Sequence, residues 1–369
     1  PGLNIMYGDA KNNISWTASG KLYKLDKSIN PNFILDGSNG IDDKKEFLPF
    51  DKNPSALNPS WNYLYSANNQ TEAIDGYLYP GYYLPKDRAE RIDKLLLPKN
   101  NWTKTDVEKM IVDNISSLSS TIVRSFLTTI SPNNQSKNFK KSYEILAKWN
   151  GSNNEIDVAP TIYNKFIYHY LKNTFEDELN KKNFEALLAT HIVKQIIEPQ
   201  IANENSIWWD DISTKDKKEN RSTILTKSLE EAIVSLENQL GKEVNSWTWN
   251  KVHKLEHAHP IGQVKLLRSF FNVGKFDIAG SNEVINNLAF TYTDNQEHIV
   301  KSGPSTRRII DFSDVENSVS ILPTGNSGNP MSKHYNDQAE MYNKGQFRKM
   351  KMNKQEIIKT STKLVFIAK

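Results

Sequence analysis

The sharpest catalytic pattern in the chain is His253-Lys254-Leu255-Glu256-His257. Two imidazoles four residues apart on one helix face can hold zinc, and a glutamate between them can work on the metal-bound water. That chemistry demands an uninterrupted helix and another ligand farther on. Pro260 follows three residues after His257, and Trp247 to Trp249 precede the pattern without a helix start signal. Zinc hydrolysis on His253, Glu256 and His257 therefore stands as an alternative reading. Asn4 offers different chemistry, because a carboxamide N–H does not titrate and can stabilise developing negative charge at any working pH. Cysteine is absent, which removes disulfides, thiolate metal sites and cysteine nucleophiles together. Trp61, Trp208 and Trp209 would give a glycan-binding or scaffold protein its stacking surfaces, although core packing accounts for such residues more often.

The elements that must position these groups follow an order of strand, helix, strand. Asn4-Ile5-Met6-Tyr7 before Gly8-Asp9, Ile14 to Thr17, and Tyr63-Leu64-Tyr65 read as strands and hairpins. From Pro85 to about Leu240 the periodicity is helical. Val107, Met110, Ile111, Ile115 and Leu118 predict one helix behind a Thr105/Glu108 capping box. Ile224, Leu225, Leu229, Ala232, Ile233, Leu236 and Leu240 predict a stronger one, with Gly241 as its left-handed stop. Strand character returns in 287–292, 306–312 and 318–322, before a closing helix at 337–349. We expect an α+β domain with β portions over 1–84 and 246–369 and a helical excursion over 85–245, because neither β portion alone offers enough strands for a closed core.

Composition narrows the partners. Lys and Arg number 47 against 43 Asp and Glu, with both signs interspersed, which gives no support to nucleic acid as the main partner. A local basic excess over Lys344, Arg348, Lys349, Lys351, Lys354, Lys359 and Lys363, facing only Glu356, reads as a solvated helix. No apolar run is long enough to span a bilayer. Pro1-Gly2-Leu3-Asn4 has neither the basic nor the apolar region of a signal peptide, and we expect the start to be a cut instead of a natural beginning.

Three collinear segments carry a more specific signal. Asn4 to Trp16 is similar to an Asn-x-x-Tyr-Ala-Asp-x-x-Gly-Asn-Ile-Gly-Tyr motif and is followed by Phe47 to Phe50, Asn58-Pro59 and Ala67-Asn68-Asn69. Trp247 to His253 leads to His259-Pro260-Ile261-Gly262. Gly303 to Arg307 is followed by Leu322 to Gly325, Gly328 to Pro330 and His334 to Gln338. Together these resemble the penicillin acylase (penicillin amidase) family of N-terminal nucleophile hydrolases, over nearly the whole chain and most closely the C-terminal part of its large subunit.

The resemblance implies a four-layer αββα sandwich, a self-cleaving precursor, and export to the periplasm or secretion. It implies an N-terminal Ser that attacks an amide carbonyl with its own α-amino group as base. The motif head, Asn4, matches the family's oxyanion donor. The nucleophile belongs far upstream of Asn4, where this chain has only three residues, so we expect the Ser to be supplied from outside this chain and the chain alone to be inert. Gly37-Ser38-Asn39, Gly151-Ser152-Asn153 and Gly280-Ser281-Asn282 imitate a cleavage junction but lie on the wrong side of Asn4. The implied partners are a small α subunit, the N-terminal part of the β subunit and a small N-acyl substrate. No cofactor is required. Some members bind a structural calcium ion, for which Asp9 is a candidate ligand, although Asp9 reads first as a turn-capping residue. The family's Arg downstream of the Asn is replaced by Leu25, with Lys24 the nearest cation. Arg307, His334 and Tyr335 read as structural.

Overall fold

The computed structural model describes residues 3–24, 29, 33–40, 43, 46–71, 79, 81 and 83–367, in two compact units, Pro1–Asn101 and Trp102–Lys369. Leu25 lies outside the described residues.

In the first unit the strand signals are met by β1 (Leu3–Gly8) and β2 (Ile14–Ser19), an antiparallel hairpin that pairs Asn4 with Ala18 and Gly8 with Ile14. Its turn is closed by Asp9, whose carboxylate takes the backbone N–H groups of Lys11 and Asn13, the Asn13 side chain and the Tyr7 hydroxyl. Those bonds, above all from Asn13, hold the carboxyl down at about 2. A short pair follows, β3 (Tyr23–Lys24) with β4 (Glu46–Phe47), and β5 (Ser55–Leu57) adds to the far side of β2 to give the order β1-β2-β5. The predicted strand at Tyr63 to Tyr65 is absent. That segment is extended chain held by side chains, because both tyrosine hydroxyls donate to Asp93 on α1 (Asp87–Leu96).

The second unit has a helical core. Its helices are α2 (Lys104–Ile111), α3 (Ser117–Leu127), α4 (Lys137–Ala147), α5 (Ala159–Leu188), α6 (Ile192–Ala202) and α7 (Arg221–Leu240). The single helix expected over 107–118 is two. Asp113 and Asn114 interrupt it, and the capping box falls at Thr103 and Asp106, two residues earlier than the Thr105/Glu108 reading. α7 begins at Asn220, whose side chain accepts from the Thr223 N–H, and ends at Gly241 with positive φ but extended ψ, so the stop is not the left-handed one expected. α5 lies against α7 and is buried nearly all round along its first half, with Ile162, Phe166, Ile167, Tyr170 and Leu171 excluded from solvent. Phe166 stacks on Phe126 of α3 at 4.1 Å between ring centres.

The returning β portion is sparser than its composition suggests. β6 (His253–His257), β7 (Val273–Asp277) and β8 (His298–Ile299) form one sheet in the order β7-β6-β8, and α8 (Arg268–Phe271) interrupts the connection from β6 to β7. β9 (Arg307–Ile309), β10 (Val319–Ile321) and β11 (Arg348–Lys349) form another. Residues 287–292 make only isolated bridges through Asn287 and Ala289. The closing helix expected at 337–349 shrinks to α9 (Ala339–Asn343), and α10 (Lys354–Thr360) follows. The basic cluster is therefore divided among a helix end, a strand and α10, with Lys349 paired to Glu356, and does not form one helical face. Among the described residues no helix is long and apolar enough to cross a membrane.

Imidazoles belong to this core. His253 is fully buried and stacks on Trp249, with Nδ1 2.9 Å from the Ile278 carbonyl oxygen and Nε2 3.1 Å from that of Leu288. Burial outweighs both carbonyls and pushes its pKa down to about 4, and burial likewise depresses His298 and His257.

Two predictions follow from this packing. Phe166→Ala should cost about 3–5 kcal/mol of stability, whereas loss of the α7 cap in Asn220→Ala should cost about 1 kcal/mol, both by chemical denaturation. His253, His257 and His298 take up protons less readily when folded than when unfolded, where imidazole titrates near pH 6.5. Below that pH the unfolded chain binds more protons, so stability should be full above pH 6.5 and decline as pH falls toward 4. Denaturation midpoints at pH 7 and pH 5 test this, and His253→Gln should flatten the decline.

Candidate active site

The start of β1 and the end of β2 form one wall of a cleft of about 790 Å³ in the first unit, where the opposed pairs Leu3–Ser19 and Asn4–Ala18 both line it. Tyr23 and Phe47, paired across β3 and β4 with ring centres 4.9 Å apart, line it as well, with Lys21, Leu22, Asn68 and Tyr83. The cleft thus has apolar and aromatic walls, a cation, and a carboxamide donor on a strand, a composition suited to a small ligand with an apolar body and a polar reacting group.

The Asn4 carboxamide has one fixed contact, Nδ2–H donated to Ser66 Oγ at 2.8 Å. Ser66 begins the Ser66-Ala67-Asn68-Asn69 segment, which Arg88 on α1 grips by donating Nη2–H groups to the Ala67 carbonyl at 2.6 Å and to Asn68 Oδ1 at 2.9 Å. Asn68 has positive φ, and its carbonyl receives the Leu84 N–H. A carboxamide has two N–H bonds, so one is left to serve another acceptor.

Lys24 does not line the cleft. Strand alternation sends it opposite to Tyr23, and it pairs with Glu46 at 3.3 Å, both side chains well exposed. The lysine on the cleft wall is Lys21, whose Nζ lies 5.2 Å from the Phe47 ring centre. Sequence reading passed over Lys21 and Ser66; the Gly20 turn and the neighbouring Ala67-Asn68-Asn69 motif were the available signals. Asp9 sits in a turn that directs N–H and O–H donors at both its oxygens.

The zinc reading of His253, Glu256 and His257 fails on geometry. The pattern forms strand β6, not a helix, so the two imidazoles do not share a helical face. Both nitrogens of His253 face carbonyl oxygens. Glu256 is held by Arg268 in two parallel hydrogen bonds of 3.0 and 2.5 Å, which keep its carboxyl below the usual range. Among the described residues no three or more His, Asp or Glu side chains gather into a group able to hold a metal ion.

The remaining candidates are held in internal contacts. Arg307 is buried, donates to the Tyr342 carbonyl and to Asn286 Oδ1 at 2.8 and 2.7 Å, and lies over the Tyr342 ring. His334 meets Asp337 at 2.9 Å, and the Tyr335 hydroxyl donates to the Phe271 carbonyl. Trp209 is buried and donates to the Asn203 carbonyl, and Trp208 packs against Phe175. Trp61 is exposed. Of the three Gly-Ser-Asn tripeptides, those at Gly151 and Gly280 are turns with positive φ.

Comparison with known proteins places these features in a family. The chain is 26% identical over 383 aligned residues to an acyl-homoserine lactone acylase QuiP of Pseudomonas syringae pv. syringae (strain B728a), covering 96% of this chain and 44% of that protein. It is 21% identical over 307 residues to the penicillin acylase 2 proenzyme of Pseudomonas sp. (strain SE83), covering 82% of this chain and 38% of the relative. The chain thus spans less than half the length of these curated relatives. The fold resembles a thermostable penicillin G acylase from Alcaligenes faecalis with a TM-score of 0.60 at 13% identity, over 100% of this chain and 68% of that one. The family model for penicillin amidase matches residues 1–359, and the chain belongs to the penicillin amidase family.

Proposed function

We propose that this chain forms part of an amidohydrolase that cleaves the amide of an N-acyl compound, and that Asn4 is an oxyanion donor in its active site. The observation that carries the reading is Asn4 itself, a carboxamide at the head of the family motif, held on β1 at the wall of the cleft.

In this reading a Ser at the N-terminus of the large subunit, supplied by sequence outside this chain, attacks the amide carbonyl. Its α-amino group takes the hydroxyl proton as the C–O bond forms, and the carbonyl oxygen becomes an oxyanion. The second Nδ2–H of Asn4 donates to that oxygen. Collapse of the intermediate breaks the C–N bond, returns the proton to the departing amine and leaves an acyl-serine ester. Water then attacks the ester by the same route and releases the acid.

Acyl-homoserine lactones are the first substrates to assay, since the names of the relatives point to that class. The partners in this reading are a small α subunit and the N-terminal part of the β subunit, formed by self-cleavage of a precursor outside the cytoplasm. Asp9 and Arg307 serve structure in it, the first by closing the β1–β2 turn and the second by tying three segments together.

Removal of a single oxyanion donor typically lowers turnover by about 10²–10³. In the complete protein, Asn4→Ala should lower kcat on an acyl-homoserine lactone by that amount while the unfolding midpoint stays unchanged. Unchanged turnover would remove Asn4 from the reaction.

A further inference from the structure

We propose that Ser66 is a positioning residue that holds the Asn4 carboxamide at the reacting carbonyl with one N–H left to donate. The inference rests on the oxyanion role of Asn4 and concerns how that role is enforced.

The torsion that turns a carboxamide is broad and roughly two-fold, so strand geometry fixes the Cβ of Asn4 but not the direction of its amide. The two orientations have opposite consequences. With Nδ2 toward the oxyanion an N–H donates; with the group flipped, Oδ1 places a partial negative charge against the developing one. Something must hold the first of them. Ser66 Oγ fixes the plane of the amide by accepting from Nδ2 at 2.8 Å. It takes one of the two N–H bonds and leaves the other free for substrate.

Ser66 is suited to this because its own backbone is held from the next residues. Ala67 is buried, its N–H lies 3.3 Å from Asn69 Oδ1, and its carbonyl accepts from Arg88. Tyr65, on the other side, is tied to Asp93. The hydroxyl thus comes from a braced segment sixty-two residues away in the chain, and not from the strand that carries Asn4. A threonine keeps the oxygen, whereas alanine removes it and frees the amide to turn.

The test uses the complete protein, with Asn4→Ala, Ser66→Ala, Ser66→Thr and the Asn4→Ala/Ser66→Ala double variant assayed on one N-acyl substrate. Loss of an outer partner of an active-site group commonly lowers activity by about 10-fold or more. Ser66→Ala should lower kcat by about 10-fold with KM unchanged. Ser66→Thr should restore most of it, and the double variant should be no slower than Asn4→Ala, since the serine has nothing to orient once the amide is gone. Unfolding midpoints should match the parent in every case. The proposal is overturned if Ser66→Ala turns over normally while Asn4→Ala does not, or if the two losses multiply in the double variant. If Asn4→Ala itself is fully active, the oxyanion reading falls and this inference with it.

Discussion

The register of β1 against β2 is the constraint on which the candidate site depends. A shift of one residue would carry every β1 side chain to the other face of the sheet and part Asn4 from Ser66. The hairpin is pinned at both ends. Asp9 gathers the turn, and at the open end Ala18, the residue opposite Asn4, donates its N–H to the Pro54 carbonyl at 2.8 Å. The buried Asn53 adds two more ties, donating to the carbonyls of Ala18 and Gly20. The turn, the β5 entry and the end of β2 therefore act together on one side-chain position. An oxyanion donor has to be held within a fraction of an ångström, which a strand braced from both sides can do better than a loop.

The second unit meets a different requirement. Its helices bury aromatic and aliphatic side chains on several sides, and the charged groups that enter come with partners. Lys165, almost fully buried on α5, lies 3.3 Å from Asp294 and donates to the Asn295 carbonyl, and Asp294 also accepts from Ser235 on α7. His169 bridges Asp294 and Glu231. These contacts tie the 294–295 segment to α5 and α7. Burial of the Lys165 ammonium lowers its pKa, and Asp294 opposes that by favouring the charged form. Arg307 is buried too, and its guanidinium is satisfied by a backbone carbonyl and Asn286 while lying on Tyr342. Without those hydrogen bonds the buried charge would be far more costly.

Much of this was legible in the residues and some was not. α7 was visible because its apolar positions repeat at helical spacing and Gly241 follows them. β1 and β2 were visible because a clear turn separates two strand-type runs. The break between α2 and α3 was missed because the apolar spacing continues across Asp113 and Asn114, whose side chains divide it. The 287–292 run looks like a strand but forms only bridges, since burial, and not a ladder, uses its apolar side chains. His253, Glu256 and His257 show the limit of pattern: the spacing of a helical zinc site arises here on a strand, where His253 faces two carbonyl oxygens and Glu256 is held by Arg268. Ser66 could not be found from spacing, because the contact joins residues sixty-two apart and depends on how α1 braces the intervening chain.

In a chain rich in asparagine, what sets Asn4 apart is the lack of a local reason for it. Asn12, Asn58, Asn62, Asn68, Asn134 and Asn180 all have positive φ, a conformation asparagine tolerates better than most residues, so the backbone accounts for them. Asn53 and Asn153 are buried and donate to backbone carbonyls. Asn220 caps α7 and Asn353 caps α10. Asn4 is regularly paired near the start of β1, in a strand, where asparagine is disfavoured, and its side chain bridges no backbone gap. A residue that strand formation does not call for, at the wall of a cleft, with one N–H fixed and one left over, is better accounted for by what binds there than by the fold that holds it.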